Sequence, residues 1–373
     1  MRFSVFHGMG APGDLANYRK HLEDAREYAV TAEKYGFWSA WYTEHHFGHE
    51  GQELTPNPVL MGVDIAAHTS TLRIGQAAAI ATFWHPIRLA EDLAMLDQLS
   101  DGRLEVGVGR GLYGREALNL NPAADPRDQK KNRALFEEIV EILKKSWTGE
   151  FFSHKGEFFE FPAPGVKWNH PLSPATPEFT DENGEITKLQ VVPAPLQEGG
   201  PALWQVIDSP PSIAKAAQEG IQAIFWLPPV SALKGRFELY QQKASEAQGR
   251  DVPLGEGIAL VRDVYVADSM EQARGEFEEA VMNTYQWVTH WRGLSNLMEE
   301  GEELTDQTLD FDFLWDRNQL VGTPEYVTEK IRELQSEVNL EHMMLWTTHP
   351  GLKHENAMKS LQLFSEKVKP HFD

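Results

Sequence analysis

Short apolar runs alternate along the chain with longer segments whose apolar residues recur every three or four positions. The short runs predict strands, because their apolar residues are continuous or alternate over a few positions only. The predicted strands are 2–7, 37–42, 72–80, 104–108, 203–207, 223–227, 257–266 and 343–347. The segments of helical period predict helices at 18–35, 58–69, 86–99, 132–147, from 212, 233–247, 269–291, 326–338 and 358–368.

This alternation predicts the fold class, which is α/β. Strands that alternate with helices form parallel sheets, and eight such units in one chain predict a closed (β/α)8 TIM barrel. We therefore expect a single domain over 1–373, since α/β barrels exceed the usual length of one domain.

Two segments interrupt the alternation. Residues 161–200, after the fourth β/α unit, are rich in Pro, Gly and polar residues, and they predict a surface insertion with a short hairpin. Residues 293–319 are acidic and irregular, and they predict a long late loop. Such a loop is either a lid over a site or an ordinary surface loop.

Charge and cysteine content narrow the function. The chain has 34 Lys and Arg against 56 Asp and Glu, a formal charge of −22. An acidic surface repels nucleic acid and anionic membranes, so we expect neither as a partner. The chain has no cysteine, which excludes disulfides, thiolate nucleophiles, iron–sulfur clusters and Cys-ligated zinc. Redox chemistry would then need an organic cofactor or a metal bound by His and carboxylates.

The N-terminus and the hydropathy predict a cytoplasmic location. The first ten residues, MRFSVFHGMG, lack the basic region and long apolar core of a signal peptide. No apolar run reaches the length of a membrane span.

Reactive residues of an α/β barrel follow the C-terminal ends of its strands. Glu44, His45 and His46 follow the second predicted strand. Histidine beside a carboxylate is suited to acid–base chemistry near neutral pH. Adjacent histidines on an extended segment point to opposite faces, which argues against a shared metal ion. The alternative is that neither histidine is functional, one being buried and hydrogen-bonded and the other lying at the surface.

Anion-binding residues follow the fourth and fifth predicted strands. Arg110 lies among glycines, and Arg133 lies in the next helix, so the two can converge on one anion; surface arginines paired with carboxylates are the alternative. Ser209 and Ser212 begin a helix whose N-terminus can bind phosphate. Plain helix capping competes with this interpretation, since the intervening prolines offer no N–H group.

Two further patterns bear on function. Residues 8–13 match G-x-G-x-x-G, but Pro12 lies inside the motif and helical periodicity begins only near Tyr18. A Rossmann NAD enzyme is therefore a weak hypothesis. The chain has no P-loop, no H-E-x-x-H and no G-x-S-x-G motif, which disfavours P-loop, zincin and serine-hydrolase chemistry.

With these motifs in place, the chain resembles the bacterial luciferase-like flavin-dependent monooxygenases, and within them the alkanal monooxygenase α subunits. The matching blocks are YGF at 35–37, EHHF at 44–47, HP at 85–86, ED at 91–92, LDQ at 96–98, GR at 102–103, RGLY at 110–113 and VGTPE at 321–325. They extend over nearly the whole chain, apart from the insertion and the late loop.

The resemblance implies a cofactor, a partner and a reaction. The cofactor is reduced FMN, which a separate NAD(P)H:flavin reductase supplies, and O2 is the co-substrate. Oxygen adds at flavin C4a, and the resulting peroxide oxygenates a small apolar aldehyde, ketone or related organic compound. The resemblance also implies a homodimer, through the helices predicted at 58–69 and 86–99. No metal is implied.

The resemblance also assigns residues. His45 matches the essential histidine of the family, and Glu44 would help to orient the flavin site. Positions that match flavin-binding residues are Ala77, Ala78, Arg110, Leu112, Tyr113, Arg133, Asp208, Ser209, Ser212 and Trp226. In the family the bond that matches Ala77–Ala78 is a non-prolyl cis peptide beside the isoalloxazine, and the arginines and serines hold the phosphate.

The chain departs from the family pattern at several places. Gly109 stands where the luciferases have a reactive cysteine, Asp208 replaces a glutamate, and Pro210 and Pro211 replace small polar residues. The late loop is also diverged, which argues against efficient light emission. Two alternatives to a monooxygenase remain: a non-catalytic flavin-binding subunit of a luciferase-like dimer, and a deazaflavin-dependent dehydrogenase on the same barrel.

Overall fold

A ring of eight parallel strands is the centre of the computed structural model, which describes residues 1–305 and 307–372. The strands are β1 (Arg2–His7), β2 (Ser39–Tyr42), β3 (Arg73–Gln76), β4 (Ala79–Ile80), β5 (Leu104–Gly109), β6 (His154–Lys155), β7 (Glu160–Phe161), β8 (Ala202–Val206), β9 (Gln222–Phe225), β10 (Ile258–Val266), β11 (Gln319–Gly322) and β12 (His342–Trp346). The ring runs β1-β2-β3-β5-β8-β9-β10-β12 and closes where β12 pairs with β1. The predicted barrel is therefore confirmed.

Helices follow the strands as the sequence pattern predicts. They are α1 (Tyr18–Lys34), α2 (Pro58–His68), α3 (Pro86–Leu99), α4 (Gly114–Leu120), α5 (Gln129–Ser146), α6 (Pro210–Gln218), α7 (Val230–Gln248), α8 (Met270–Arg292), α9 (Phe311–Asn318), α10 (Pro324–Val338) and α11 (His354–Leu363). Side chains cap several of them, as Asn57 does for α2 and Ser269 for α8. Among the described residues, no helix is both long enough and apolar enough to cross a membrane.

The chain divides into two compact units. Unit 1 comprises 1–79, 105–108 and the described part of 202–373, and it contains nearly all of the barrel ring. Unit 2 comprises Ile80–Leu104 and Gly109–Pro201, and it contains α3, α4, α5 and the 161–200 segment.

Large aromatic side chains fill the barrel because glycines leave room for them. Trp41 and Trp204 are fully buried and meet edge to face, with ring centroids 5.5 Å apart. A Cβ atom at Gly75 would lie 2.2 Å from the Trp41 ring, and one at Gly107 would lie 1.8 Å from the backbone oxygen of Gln76. The packing of the barrel interior therefore requires glycine at both positions.

Unit 2 has its own core between α3 and α5. The Trp147 indole at the end of α5 donates to the Ala90 carbonyl of α3 at 3.1 Å. Glu138 accepts hydrogen bonds from the backbone amides of 157–159, so its carboxylate fixes the turn between β6 and β7.

The structure corrects three sequence-based predictions. The third strand, predicted at 72–80, is divided into β3 and β4, and the cis peptide Ala77–Ala78 lies between them. Residues 293–319 are not wholly irregular, since they contain α9 and run into the unpredicted strand β11, which pairs with the end of β10. Asp306, within that segment, lies outside the described residues. The short helix α4 was also missed.

The 161–200 segment is largely extended and exposed, as the prediction of a surface insertion requires. Isolated antiparallel bridges join Lys167 to Glu185 and Thr180 to Ile186. Both pairs are isolated bridges outside the strands, so the short hairpin expected in this segment stays a prediction.

Candidate active site

The two histidines that follow β2 each have their own carboxylate. Glu44 is 1% exposed, and its Oε1 lies 3.0 Å from His46 Nε2. His45 Nε2 instead lies 3.1 Å from Glu53 Oε1. The carboxylate beside the His45 ring therefore comes from Glu53, and the adjacent Glu44 faces His46.

Backbone hydrogen bonds fold the loop after β2 back on itself. The His45 amide donates to the Thr55 carbonyl at 2.9 Å, and the Leu54 amide donates to the Met9 carbonyl at 2.8 Å. Phe47 has a φ of 60°, in the left-handed region that few non-glycine residues adopt. This path returns Glu53 to His45, eight positions away. Sequence reasoning missed Glu53 because nothing in a polar loop signals such a return.

Small residues follow β3. Ala77 and Ala78 are 6% exposed, and the peptide bond between them is cis, as the family resemblance implied. The Ala77 amide donates to the Tyr42 carbonyl at 2.8 Å, which ties this peptide to the end of β2. The site therefore presents backbone with short side chains at this strand end.

In unit 2, two arginines lie close enough to repel each other. Burial lowers the pKa of the Arg110 guanidinium, and the charge of Arg133 lowers it further. Arg110 Nη1 donates to Gln129 and Asn132 at 3.2 Å, and both acceptors are neutral. Leu112 is partly buried, whereas Tyr113, at the start of α4, is 4% exposed. The nearby Glu137 carboxylate offsets part of this repulsion. Two neighbouring guanidinium charges are suited to an anion with more than one charge.

In unit 1, a pair of hydroxyls begins α6. The Ser209 hydroxyl donates to the Ser212 hydroxyl at 2.9 Å, and Ser209 makes no side-chain cap to the helix. The Ser209 side chain therefore does not cap the helix, contrary to the capping alternative. Asp208 forms an ion pair with Arg292 at the end of α8, with 3.1 Å between Nη1 and Oδ2. Arg292 thus compensates the negative charge beside the helix N-terminus.

Trp226 lies just beyond β9 and is partly buried. Its ring centroid is 5.0 Å from that of Trp346, and its indole nitrogen is buried without a hydrogen-bond partner among the described residues. Arg262 holds the Trp226 carbonyl, and Arg262 Nη2 donates to the Pro228 carbonyl at 2.6 Å. The buried arginine therefore fixes the backbone that carries this tryptophan.

A buried polar network, which sequence reasoning missed, surrounds Asp263 in the second half of β10. Asp263 Oδ1 lies 2.9 Å from His349 Nε2, and Asp263 Oδ2 accepts from the Tyr285 hydroxyl at 2.6 Å. The Thr284 hydroxyl lies 3.0 Å from His349 Nδ1. His349 follows the last predicted strand, and this position at a strand end could have marked it as a candidate site residue.

Three residues on the outside of the barrel have atoms placed as metal ligands would be. They are Asp24, Glu27 and His354. The Lys20 ammonium already lies 2.8 Å from Asp24 Oδ1, so a lysine neutralises this carboxylate. The group joins α1 to α11, and the charges of Asp24 and His354 act on His7 at the end of β1.

Comparison with known proteins identifies the family. A sequence profile of the family described as luciferase-like monooxygenase matches residues 1–338. The oxygenase component of the flavin-dependent trigonelline monooxygenase of Acinetobacter baylyi is 26% identical over 100% of this chain and 96% of that protein. The alkanal monooxygenase alpha chain of Photorhabdus luminescens is 28% identical, over 59% of this chain and 52% of its own length.

A solved structure gives the same fold. The oxygenating constituent of 3,6-diketocamphane monooxygenase from Pseudomonas putida, a type II Baeyer-Villiger monooxygenase in complex with FMN, has a TM-score of 0.79. It is 24% identical, with 99% of this chain and 98% of that chain covered. At this identity the likeness concerns the fold. Because the profile match covers most of the sequence, the chain belongs to the luciferase-like monooxygenase family.

Proposed function

We propose that the protein is the oxygenase component of a two-component monooxygenase that uses reduced FMN and O2. Its substrate is a small, mostly apolar aldehyde, ketone or related organic compound. The observation that carries the proposal is the Arg110–Arg133 pair, two mutually repelling guanidinium groups, one of them partly buried, in a member of this family. A phosphate monoester with close to two negative charges is the chemistry that such a pair binds.

Two arginines and two serines provide the positive charge and the hydroxyl groups that suit the phosphate of FMN. Arg110 and Arg133 supply positive charge, and Ser209 and Ser212 supply hydroxyls at a helix N-terminus. We propose both pairs as phosphate ligands, with Asp208 contributing through its backbone because its carboxylate is paired with Arg292.

The flavin ring needs a flat surface with few proton donors. We propose that Ala77, Ala78, Leu112 and Tyr113 contact the isoalloxazine, and that Trp226 lines the substrate pocket. When bound, reduced FMN supplies two electrons to O2. One oxygen atom then enters the product, the other leaves as water, and FMN is oxidised. The chain itself binds the ring, excludes water from it, and holds or delivers a proton at His45, with Glu44 supporting the same loop.

The proposed reaction also requires a source of reduced FMN and an organic substrate. A separate NAD(P)H:flavin reductase would provide reduced FMN, most simply in the cytoplasm. A homodimer belongs to the same proposal. The relatives that match this chain are named for trigonelline, 3,6-diketocamphane and alkanals, and these compounds define a first substrate panel.

The test follows the oxygen atom. The protein is mixed with photoreduced FMN under ¹⁸O2 and offered trigonelline, 3,6-diketocamphane or decanal, and products are analysed by mass spectrometry. We expect one ¹⁸O atom per product molecule for at least one compound of the panel or its close analogues. Release of hydrogen peroxide alone with every compound would argue for a non-catalytic subunit. Preferential binding of a deazaflavin over FMN would favour the dehydrogenase.

A further inference from the structure

Glu53 connects the histidine after β2 with the middle of α8. Its Oε1 lies 3.1 Å from His45 Nε2, and its Oε2 accepts from the Trp287 indole N–H at 3.0 Å. The side chains of His45 and Glu53 are 17% and 21% exposed. One carboxylate therefore bridges two elements that are far apart in sequence, in a site that is partly shielded from solvent.

The backbone holds Glu53 in this place from both sides. The Ala11 amide donates to the Gly51 carbonyl at 2.7 Å, and the Leu54 amide donates to Met9 at 2.8 Å. A Cβ atom at Gly48 would lie only 2.2 Å from the Glu53 carbonyl oxygen, so the two backbone segments are in direct contact. The position of the carboxylate is thus a property of the folded loop.

We propose that Glu53 is the positioning residue for His45, with Trp287 as the group that orients the carboxylate. The proposal rests on the proposed function, in which His45 acts at the flavin. A carboxylate accepts hydrogen bonds only, so it favours the ring form that carries hydrogen on Nε2. In the neutral ring the lone pair then lies on Nδ1. The proton is taken up and released at Nδ1, while Nε2 keeps its hydrogen toward Glu53.

Two features make Glu53 specific for His45. Glu44, which directly precedes His45 in the chain, faces His46 at 3.0 Å. The Trp287 indole can only donate, so it requires an acceptor oxygen and leaves the second carboxylate oxygen for the imidazole. The arrangement matches the general rule that the partner of one ring nitrogen sets the chemistry of the other.

The first test reads the tautomer directly and needs no cofactor. The protein is labelled with ¹⁵N histidine, and the His45 ring signals are assigned by their loss in His45→Gln. At a pH where the ring is neutral, we expect the Nε2–H tautomer in the unmodified protein. In Glu53→Gln the amide oxygen should face Trp287 and the amide NH2 should face Nε2. The ring should then change to the Nδ1–H tautomer.

Three variants make this test specific. Glu53→Gln combined with Trp287→Phe should give a mixture of tautomers, because the amide is then free to turn. Glu27→Gln, which changes a carboxylate on α1 that lies 3.2 Å from His354, is the matched control and should leave the His45 signals unchanged. If Glu53→Gln keeps the Nε2–H tautomer while folding normally, the proposal is wrong.

The second test measures the reaction. We expect Glu53→Gln to lower the rate of ¹⁸O incorporation by roughly 10- to 100-fold, the usual cost of losing a second partner of an active histidine, while the Kd for FMN is unchanged. In Glu53→Ala, added formate should restore part of the rate, which a merely structural loss would not allow. A tautomer change without any labelled product in the unmodified protein would overturn the proposed function and leave the positioning role intact.

Discussion

At the scale of single residues, the surroundings of a side chain decide what its chemistry can be. Arg110 has an ordinary sequence context, a glycine-rich strand end, and the sequence leaves open whether it pairs with a carboxylate. In the structure its guanidinium is partly buried, it donates to the neutral amides of Gln129 and Asn132, and the charge of Arg133 lies close by. These conditions favour an anionic ligand.

The first prediction concerns this arginine. Arg110→Gln should weaken FMN binding by about 10- to 100-fold, since a hydrogen bond to a charged group contributes about 1.5–3 kcal/mol. Riboflavin, which lacks the phosphate, should bind almost equally well to both proteins. Flavin fluorescence titration measures both constants. Arg127→Gln is the control, because that arginine is 76% exposed and already paired with Asp125. Equal losses for FMN and riboflavin would contradict a phosphate contact.

At the scale of elements, the packing of the barrel strands requires glycine, which has no side chain, at two positions. Gly75 and Gly107 face the space that the Trp41 ring and the β3 backbone occupy. Helix α8 shows the opposite dependence, because polar side chains of its second half contact several other elements. Tyr285 contacts Asp263, Trp287 contacts Glu53, and Arg292 contacts Asp208. The helix thereby ties together the loops and strand ends of unit 1.

The second prediction tests the glycine in β5. Gly107→Ala should lower stability by about 1–3 kcal/mol or more, because the new Cβ would lie 1.8 Å from a backbone oxygen that cannot rotate away. The matched control is Gly275→Ala in α8, where the added Cβ meets nothing within 4 Å. That change should add about 0.5–1 kcal/mol, as alanine does in a helix interior. Differential scanning calorimetry compares the two, and an unchanged Tm for Gly107→Ala would contradict the packing argument.

At the scale of the whole molecule, buried histidines set a lower pH limit for the fold. Burial lowers the pKa of His7 to about 4, with a smaller effect from His354, and it lowers the pKa of His342 to about 3. Both values lie below the ordinary 6.5. The unfolded chain therefore binds more protons than the folded protein between pH 6.5 and these values, and stability falls as the pH falls.

The third prediction gives this effect a size. Each of the two histidines should cost about 1.4 kcal/mol per pH unit below pH 6.5, until the pH reaches its folded pKa. His7→Gln removes one titrating group and should flatten the fall of Tm between pH 6.5 and 4.5. Scanning calorimetry across this range measures the slope. An identical slope in the variant would show that His7 is not linked to unfolding.

The fourth prediction concerns assembly. If the protein is a homodimer through the helices proposed for it, Leu60→Glu should reduce the mass in solution to that of one chain, because Leu60 on α2 is 67% exposed and a charge there would be buried without a partner. Leu172→Glu is the control, since that leucine is 91% exposed within the 161–200 segment. Light scattering after size-exclusion chromatography measures the mass. A monomeric unmodified protein would remove the dimer from the proposal.

Much of the architecture follows from the sequence alone. The eight ring strands and most of the helices could be predicted because hydrophobic periodicity is local, and so could the strand-end positions of His45, Arg110 and Ser209. The cis bond at Ala77–Ala78 was predicted only through the family motifs. Local patterns did not reveal β11, since a short strand at the end of an acidic segment has little periodicity of its own.

Only the tertiary structure decided which side chains meet. The sequence places Glu44 next to His45, yet the folded loop brings Glu53 to His45 and leaves Glu44 with His46. Likewise, Asp263 and His349 are 86 positions apart in the sequence, although Asp263 Oδ1 and His349 Nε2 lie 2.9 Å apart. Hydrophobic spacing determines elements because neighbouring residues share one helix or strand. Contacts between loops depend on backbone paths and closures that no local pattern records.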